Sequence, residues 1–64
     1  MKENNLYNLM TQLTQESRSL WRIKSEYKKD AAKSPASKKF WDILAKDKEK
    51  HIIELKALIK AELK

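Results

Sequence analysis

The chain has 64 residues with no cysteine, no glycine and one proline, and its 15 lysines and arginines against 9 aspartates and glutamates give a net charge of +6. A chain of this length forms one domain at most, and such a domain buries only about 60% of its unfolded surface. The lack of cysteine excludes disulfides and cysteine nucleophiles, and the lack of glycine excludes glycine-rich loops that cradle nucleotide phosphates.

A first amphipathic helix is predicted over about residues 4–32, with Asn4 or Asn5 as its N-cap. At 100° per residue its apolar side chains fall on one narrow stripe, which contains Leu6, Leu9, Leu13, Leu20, Tyr27 and Ala31. Met10 and Ile23 flank this stripe, and neither proline nor glycine interrupts it.

A turn is predicted at about residues 33–37, around the single proline, and a second helix at about residues 35–63. We favour Ser34 as the N-cap with Pro35 at the first helical position, and Ser37 as the cap is the alternative. The stripe of this helix contains Phe40, Trp41, Leu44, His51, Ile52, Leu55, Leu58 and Ile59. The short connection predicts an all-α antiparallel hairpin, a single domain over residues 1–64, in which residues whose numbers sum to about 69 lie side by side.

Two helices cannot enclose a core, and Met10, Trp21, Ile43 and Ile53 lie outside the seam between them. We therefore expect a homodimer that forms a four-helix bundle. The predicted core or interface residues are Leu6, Leu9, Met10, Leu13, Leu20, Trp21, Tyr27, Phe40, Trp41, Leu44, Ile52, Leu55, Leu58 and Ile59.

Three titratable residues, Glu16, Lys48 and His51, occupy stripe positions where apolar side chains are expected. The antiparallel register places all three near one level, so we predict an interior polar cluster in which Glu16 pairs with Lys48 or His51. Two alternatives stay open: the Glu16 carboxylate reaches water, or the Lys48 ammonium extends to solvent.

Residues 15–32 and 40–47, followed by His51 and Leu55, resemble one helical hairpin of the ferritin-like superfamily, in its rubrerythrin-type branch. The resemblance implies a four-helix bundle with a di-iron centre bound by a Glu on the first helix and a Glu-x-x-His pair on the second. Glu16 and His51 match two ligand positions, but Lys48 stands where a carboxylate is required. We therefore expect no metal and no cofactor, and a half-ferritin that binds iron through Glu16 and His51 across a homodimer is the alternative.

Five lysines crowd the predicted turn, and we name this group the basic turn: Lys28, Lys29, Lys33, Lys38 and Lys39. It is a candidate for binding anions, nucleic acid or an anionic surface. No apolar run is long enough for a membrane span or a secretory signal, so we expect a cytoplasmic protein. We identify no catalytic residues and predict a non-enzymatic hairpin for self-association or for binding another protein.

Overall fold

The computed structural model describes residues 2–64, which form two helices joined by a short turn. The first helix consists of α1 (Lys2–Arg22), a π-helical segment (Ile23–Tyr27) and α2 (Lys28–Asp30), and the second is α3 (Pro35–Glu62). No strand occurs within these residues. The prediction of an all-helical chain with two helices is confirmed.

The first helix begins earlier than predicted. Asn4 and Asn5 lie inside α1, so the prediction that either one caps the helix is wrong. The side-chain amide of Asn5 instead donates a hydrogen bond to the carboxylate of Glu62, close to the end of α3. This contact joins the first turns of one helix to the last turns of the other.

The π-helical segment is a feature that the sequence analysis did not predict. Its widened geometry is seen where the backbone N–H of Lys28 donates to the carbonyl oxygen of Ile23, five residues earlier. Ile23, Tyr27 and Ala31 follow one another at intervals of four residues, which exceeds the α-helical repeat of about 3.6. The wider turn keeps these three side chains directed at α3.

The turn follows the favoured prediction, in which Ser34 precedes Pro35 as the N-cap of α3. Ser34 is extended, with φ −125° and ψ 94°, and its carbonyl oxygen accepts the N–H of Lys38 at 2.9 Å. Its hydroxyl donates to the hydroxyl of Ser37 at 3.0 Å and not to a backbone amide. Because Ser37 lies within α3, the alternative cap is wrong.

The two helices pack side by side in opposite directions. The rings of Tyr27 and Trp41 are 4.9 Å apart, and the Lys24 ammonium lies 2.9 Å from the Glu49 carboxylate. The residue numbers of these pairs sum to 68 and 73, close to the predicted 69. The hairpin is a rod of 47 × 14 × 14 Å, and none of its described helices is long and apolar enough to cross a membrane.

The contact between the helices is a narrow seam. Its buried apolar residues are Ile23, Ala31, Ala45 and Leu55, and the Ile23 side chain is completely buried. Ile23 was predicted only to flank the stripe, and Ala45 was not predicted at all. Nine predicted core residues are half-buried: Leu6, Leu9, Leu13, Leu20, Tyr27, Trp41, Leu44, Ile52 and Ile59.

Four residues of the predicted core or interface set are exposed in the hairpin. Met10, Trp21, Phe40 and Leu58 each keep more than half of their surface in contact with solvent. The placement of Phe40 and Leu58 in the seam is therefore wrong. One neighbouring helix covers only the centre of each apolar stripe, and side chains at the edges remain outside it.

Candidate functional site

The polar cluster of Glu16, Lys48 and His51 lies midway along the hairpin. Among the residues whose burial the structure describes, Glu16 is the one charged residue that is buried, with 5% of its surface exposed. The Lys48 ammonium donates to Glu16 Oε2 at 2.7 Å, and His51 Nδ1 lies 2.5 Å from Glu16 Oε1. The structure thus brings the three predicted residues together.

The helices position this polar cluster through their periodicity. Lys48 and His51 are three residues apart, so they project from one face of α3 and lie one above the other. Glu16 sits on the seam side of α1, three to four residues from Leu13 and Leu20. Each oxygen of its carboxylate therefore meets a different side chain of the facing helix.

The three members of the polar cluster differ in their access to water. The side chain of Glu16 is 7% exposed, that of Lys48 is 20% exposed and that of His51 is 51% exposed. The prediction that His51 belongs to the interior is wrong, because its ring lies at the edge of the seam with Nδ1 turned inward. The polar cluster therefore has one buried acid with two partners that reach toward solvent.

The pKa of Glu16 is lowered from its ordinary value, chiefly by the hydrogen bond from Lys48. Burial opposes this effect, while the hydrogen bond with His51 and the two positive charges reinforce it. The carboxylate is therefore ionised at neutral pH. Within the described residues no buried side-chain nitrogen or oxygen lacks a hydrogen-bond partner, so this charge is accommodated.

The donor set of the polar cluster does not fit the di-iron centre that the ferritin-like resemblance implies. Both carboxylate oxygens of Glu16 are occupied by side chains of the same chain, and the ammonium of Lys48 stands at the position of a second carboxylate. Residues 2–64 contain no group of three or more His, Cys, Asp or Glu side chains placed to hold a metal ion.

The basic turn lies at the opposite end of the rod from the contact between Asn5 and Glu62. Lys28 is engaged there by the Asp42 carboxylate at 2.6 Å. The pKa of Asp42 is lowered mainly by this hydrogen bond, with smaller contributions from the charges of Lys28, Lys38 and Lys46 and an opposing one from burial. The other four members of the group are exposed: Lys29, Lys33, Lys38 and Lys39.

A second row of side chains on α1 escaped the sequence analysis. Tyr7, Met10, Thr14, Ser17 and Trp21 recur at intervals of three and four residues, and we name them the outer stripe. All five are exposed. The signal was present as a second heptad-like repeat, but two hydroxyl residues at its centre hid it from a search for apolar residues.

No protein-family model matches this chain, and neither does any curated protein or solved structure. The ferritin-like resemblance accordingly stays a prediction.

Proposed function

We propose that this chain is a non-enzymatic helical hairpin whose role is self-association, with two copies forming a four-helix bundle. One observation carries the proposal: a large share of the bulky apolar side chains remains outside the hairpin seam. These residues each expose more than half of their surface: Tyr7, Met10, Trp21, Phe40, Ile43, Ile53, Leu58 and Leu63.

The energetics of a small hairpin favour a partner. Burying one large apolar side chain contributes about 1.5–3 kcal/mol, and only four apolar residues of the described hairpin are buried. Domains below about 70–80 residues usually need a further source of stability, of which oligomerisation is one. This chain has no cysteine for a disulfide, and association is one of the sources that remain.

The polar cluster supports a structural role over a catalytic one. The carboxylate of Glu16 is held ionised by its pairing with Lys48, so it is not a proton donor at neutral pH. Both of its oxygens are occupied, which leaves little of it free for a substrate. We infer that this pair fixes the register of the two helices.

The test of the proposal is the molar mass in solution, measured by sedimentation equilibrium from low to high micromolar concentration. We expect a mass near twice 7.6 kDa at the upper end of the range. A mass of 7.6 kDa throughout would overturn the proposal.

A second function, binding of nucleic acid through the basic turn, is favoured by four exposed lysines at one end of the rod. Because phosphate contacts release counterions, such binding must weaken steeply as salt rises. The test is titration of a labelled DNA duplex at low and moderate salt with Lys38→Gln/Lys39→Gln. The matched control is Lys56→Gln/Lys60→Gln, which removes the same charge from exposed positions near the far end of α3. Equal affinity of both variants would exclude the basic turn.

A further inference from the structure

We infer that the self-association surface is the outer stripe of α1, and that it packs against the outer stripe of a second copy in antiparallel orientation with Thr14 at the twofold axis. This inference rests on the proposed self-association and adds the surface, the orientation and the register.

The outer stripe is the one exposed surface of the described hairpin in which bulky apolar residues follow a helical repeat without a charge between them. Tyr7 and Trp21 stand at its ends, and Met10, Thr14 and Ser17 lie between them. Tyr7, Met10 and Thr14 line one shallow groove of α1 together with Glu3, and Ser17 and Trp21 line the next together with Arg18, Arg22 and Glu26 at its border. A repeat of three and four residues is the spacing that two helices need to pack along their length.

The exposed apolar residues of α3 do not form a comparable surface. Leu58 shares a groove with His51 and Glu54, which lie on the same face of α3 and separate Leu58 from the exposed Phe40. This groove also contains Gln12, which lies about 200° around α1 from Met10 and therefore on the opposite flank of the hairpin.

Ile43 and Ile53 belong to neither flank. Each is two residues from a buried seam residue, Ala45 or Leu55, and so faces away from α1. Met10, Trp21, Ile43 and Ile53 therefore do not share one surface of the hairpin, although the prediction of a homodimer was based on all four. Of these four residues, Met10 and Trp21 belong to the outer stripe, in which the helical repeat is continuous.

Thr14, at the centre of the outer stripe, is suited to desolvation. The Thr14 hydroxyl donates to the carbonyl oxygen of Met10 at 3.1 Å, within its own helix. It therefore keeps its hydrogen bond when a partner helix covers it, and burial leaves no unsatisfied donor there. Thr14 and Ser17 are also small, which allows two helix axes to approach closely at the centre of the contact.

The order of large and small side chains selects the antiparallel arrangement. With Thr14 against the partner's Thr14, paired residue numbers sum to 28, so Tyr7 lies opposite the partner's Trp21 and Met10 lies within one residue of the level of the partner's Ser17. The side chain of each Met10 then lies against the small Ser17 of the other copy. A pair of aromatic rings, Tyr7 and Trp21, lies at each end of the contact. A parallel dimer would stack Met10 on Met10 and Trp21 on Trp21.

Charge favours the same orientation. Glu3 lies one turn before Tyr7, and Arg18 borders the outer stripe near Trp21. A parallel dimer would set Glu3 beside Glu3 and Arg18 beside Arg18, which repel. In the antiparallel dimer these like-charged pairs are separated, because Glu3 lies at the level of the partner's Ser25 and Arg18 at the level of the partner's Met10.

The test uses single cysteines, since the chain has none of its own. We expect Thr14→Cys to form a disulfide-linked dimer on mild oxidation, whereas the matched exposed variant Ile43→Cys does not. A disulfide needs Cα atoms about 4.4–6.8 Å apart. Met10→Cys should not link to itself, because its two copies are offset by eight residues, about 12 Å. Ser17→Cys should not either, but a mixture of Met10→Cys and Ser17→Cys should give the mixed dimer.

The outcomes separate this inference from the proposed self-association. If the protein is dimeric while Ile43→Cys links and Thr14→Cys does not, the outer stripe is not the interface and only this inference fails. If Met10→Cys and Ser17→Cys each link to themselves, the parallel arrangement holds and the register is wrong. If the wild type and all variants are monomers, both the inference and the proposed self-association fail. Circular dichroism of each variant verifies that these exposed substitutions leave the helices intact.

Discussion

The two sides of α1 carry similar repeats and meet different surroundings. The inward side, with Leu6, Leu9, Leu13 and Leu20 leading to the buried Ile23, packs against α3 within the same chain. The outer stripe, with Tyr7, Met10 and Trp21, faces solvent and is covered by nothing within the described hairpin. A repeat therefore indicates that a helix face is suited to packing, and the fold decides whether the chain itself supplies the partner.

The two sides also accommodate polar residues in different ways. Glu16 interrupts the inward side with a charge that needs Lys48 and His51 from the other helix. Thr14 interrupts the outer stripe with a hydroxyl that is satisfied by its own backbone. The first arrangement ties α1 to one position on α3, whereas the second leaves the outer stripe free to meet any suitable helix.

The largest change in free energy is expected for the stability of Ile23→Ala, on the inward side of α1. Truncating a fully buried isoleucine should lower the free energy of unfolding by about 2–5 kcal/mol. Ile23→Val, which removes a single methylene, should cost about 0.5–1.5 kcal/mol. Chemical denaturation of both variants measures the difference, and equal stability of Ile23→Ala and wild type would show that this part of the seam is loosely packed.

The next largest change is expected in the free energy of dimerisation, for Trp21→Ala in the outer stripe. Aromatic residues are enriched among the interface residues that each contribute about 2 kcal/mol or more to binding, and a loss of that size makes the dissociation constant roughly 30-fold weaker. Sedimentation equilibrium measures this constant. The matched control is Ile43→Ala, which is exposed and outside the outer stripe, and an equal loss of affinity in both variants would refute the distinction between these surfaces.

A smaller effect is expected from Glu16→Ala in the polar cluster. Removing one partner of a fully buried ion pair costs about 3–5 kcal/mol, and because Lys48 and His51 reach solvent we expect about 1–3 kcal/mol. A double-mutant cycle with Lys48→Met isolates the pairwise energy, which should be about 0.5–3 kcal/mol. A Glu16→Leu protein more stable than the wild type would show that folding does not need the pair.

The smallest expected effect is the pH dependence of stability that the polar cluster causes. The folded-state pKa of Glu16 lies below its ordinary value of 4.5, so its pairing stabilises the fold fully above that pH. This contribution is lost as the pH falls from about 4.5 through the folded-state pKa, because protonation then favours the unfolded chain. Thermal unfolding of Glu16→Gln should lack this loss, while Asp42→Asn, which alters an exposed pair, should retain it.

Much of this fold follows from periodicity and one proline. The stripes predicted two helices, Pro35 placed the turn, and the antiparallel register brought Glu16 to the level of Lys48 and His51. These predictions depend on local rules and on chain geometry, which a sequence contains.

Other features depend on where the second helix axis lies, which periodicity does not specify. Phe40 and Leu58 share the stripe of α3 but fall outside the covered strip, while the small Ala45 is buried where the helices approach closely. The π-helical segment arises from successive four-residue spacings of Ile23, Tyr27 and Ala31, which matter only once α3 fixes one face as interior. The exposure of His51 also depends on where the axis of the facing helix lies.

The most direct test of self-association is the thermal midpoint of the wild type across a hundredfold range of protein concentration. In a dimer whose subunits stabilise each other, folding is linked to association and the midpoint depends on concentration. We predict that the midpoint rises as the concentration increases, and that Trp21→Ala weakens this dependence while Ile43→Ala does not. A midpoint that stays constant over the whole range would contradict the account.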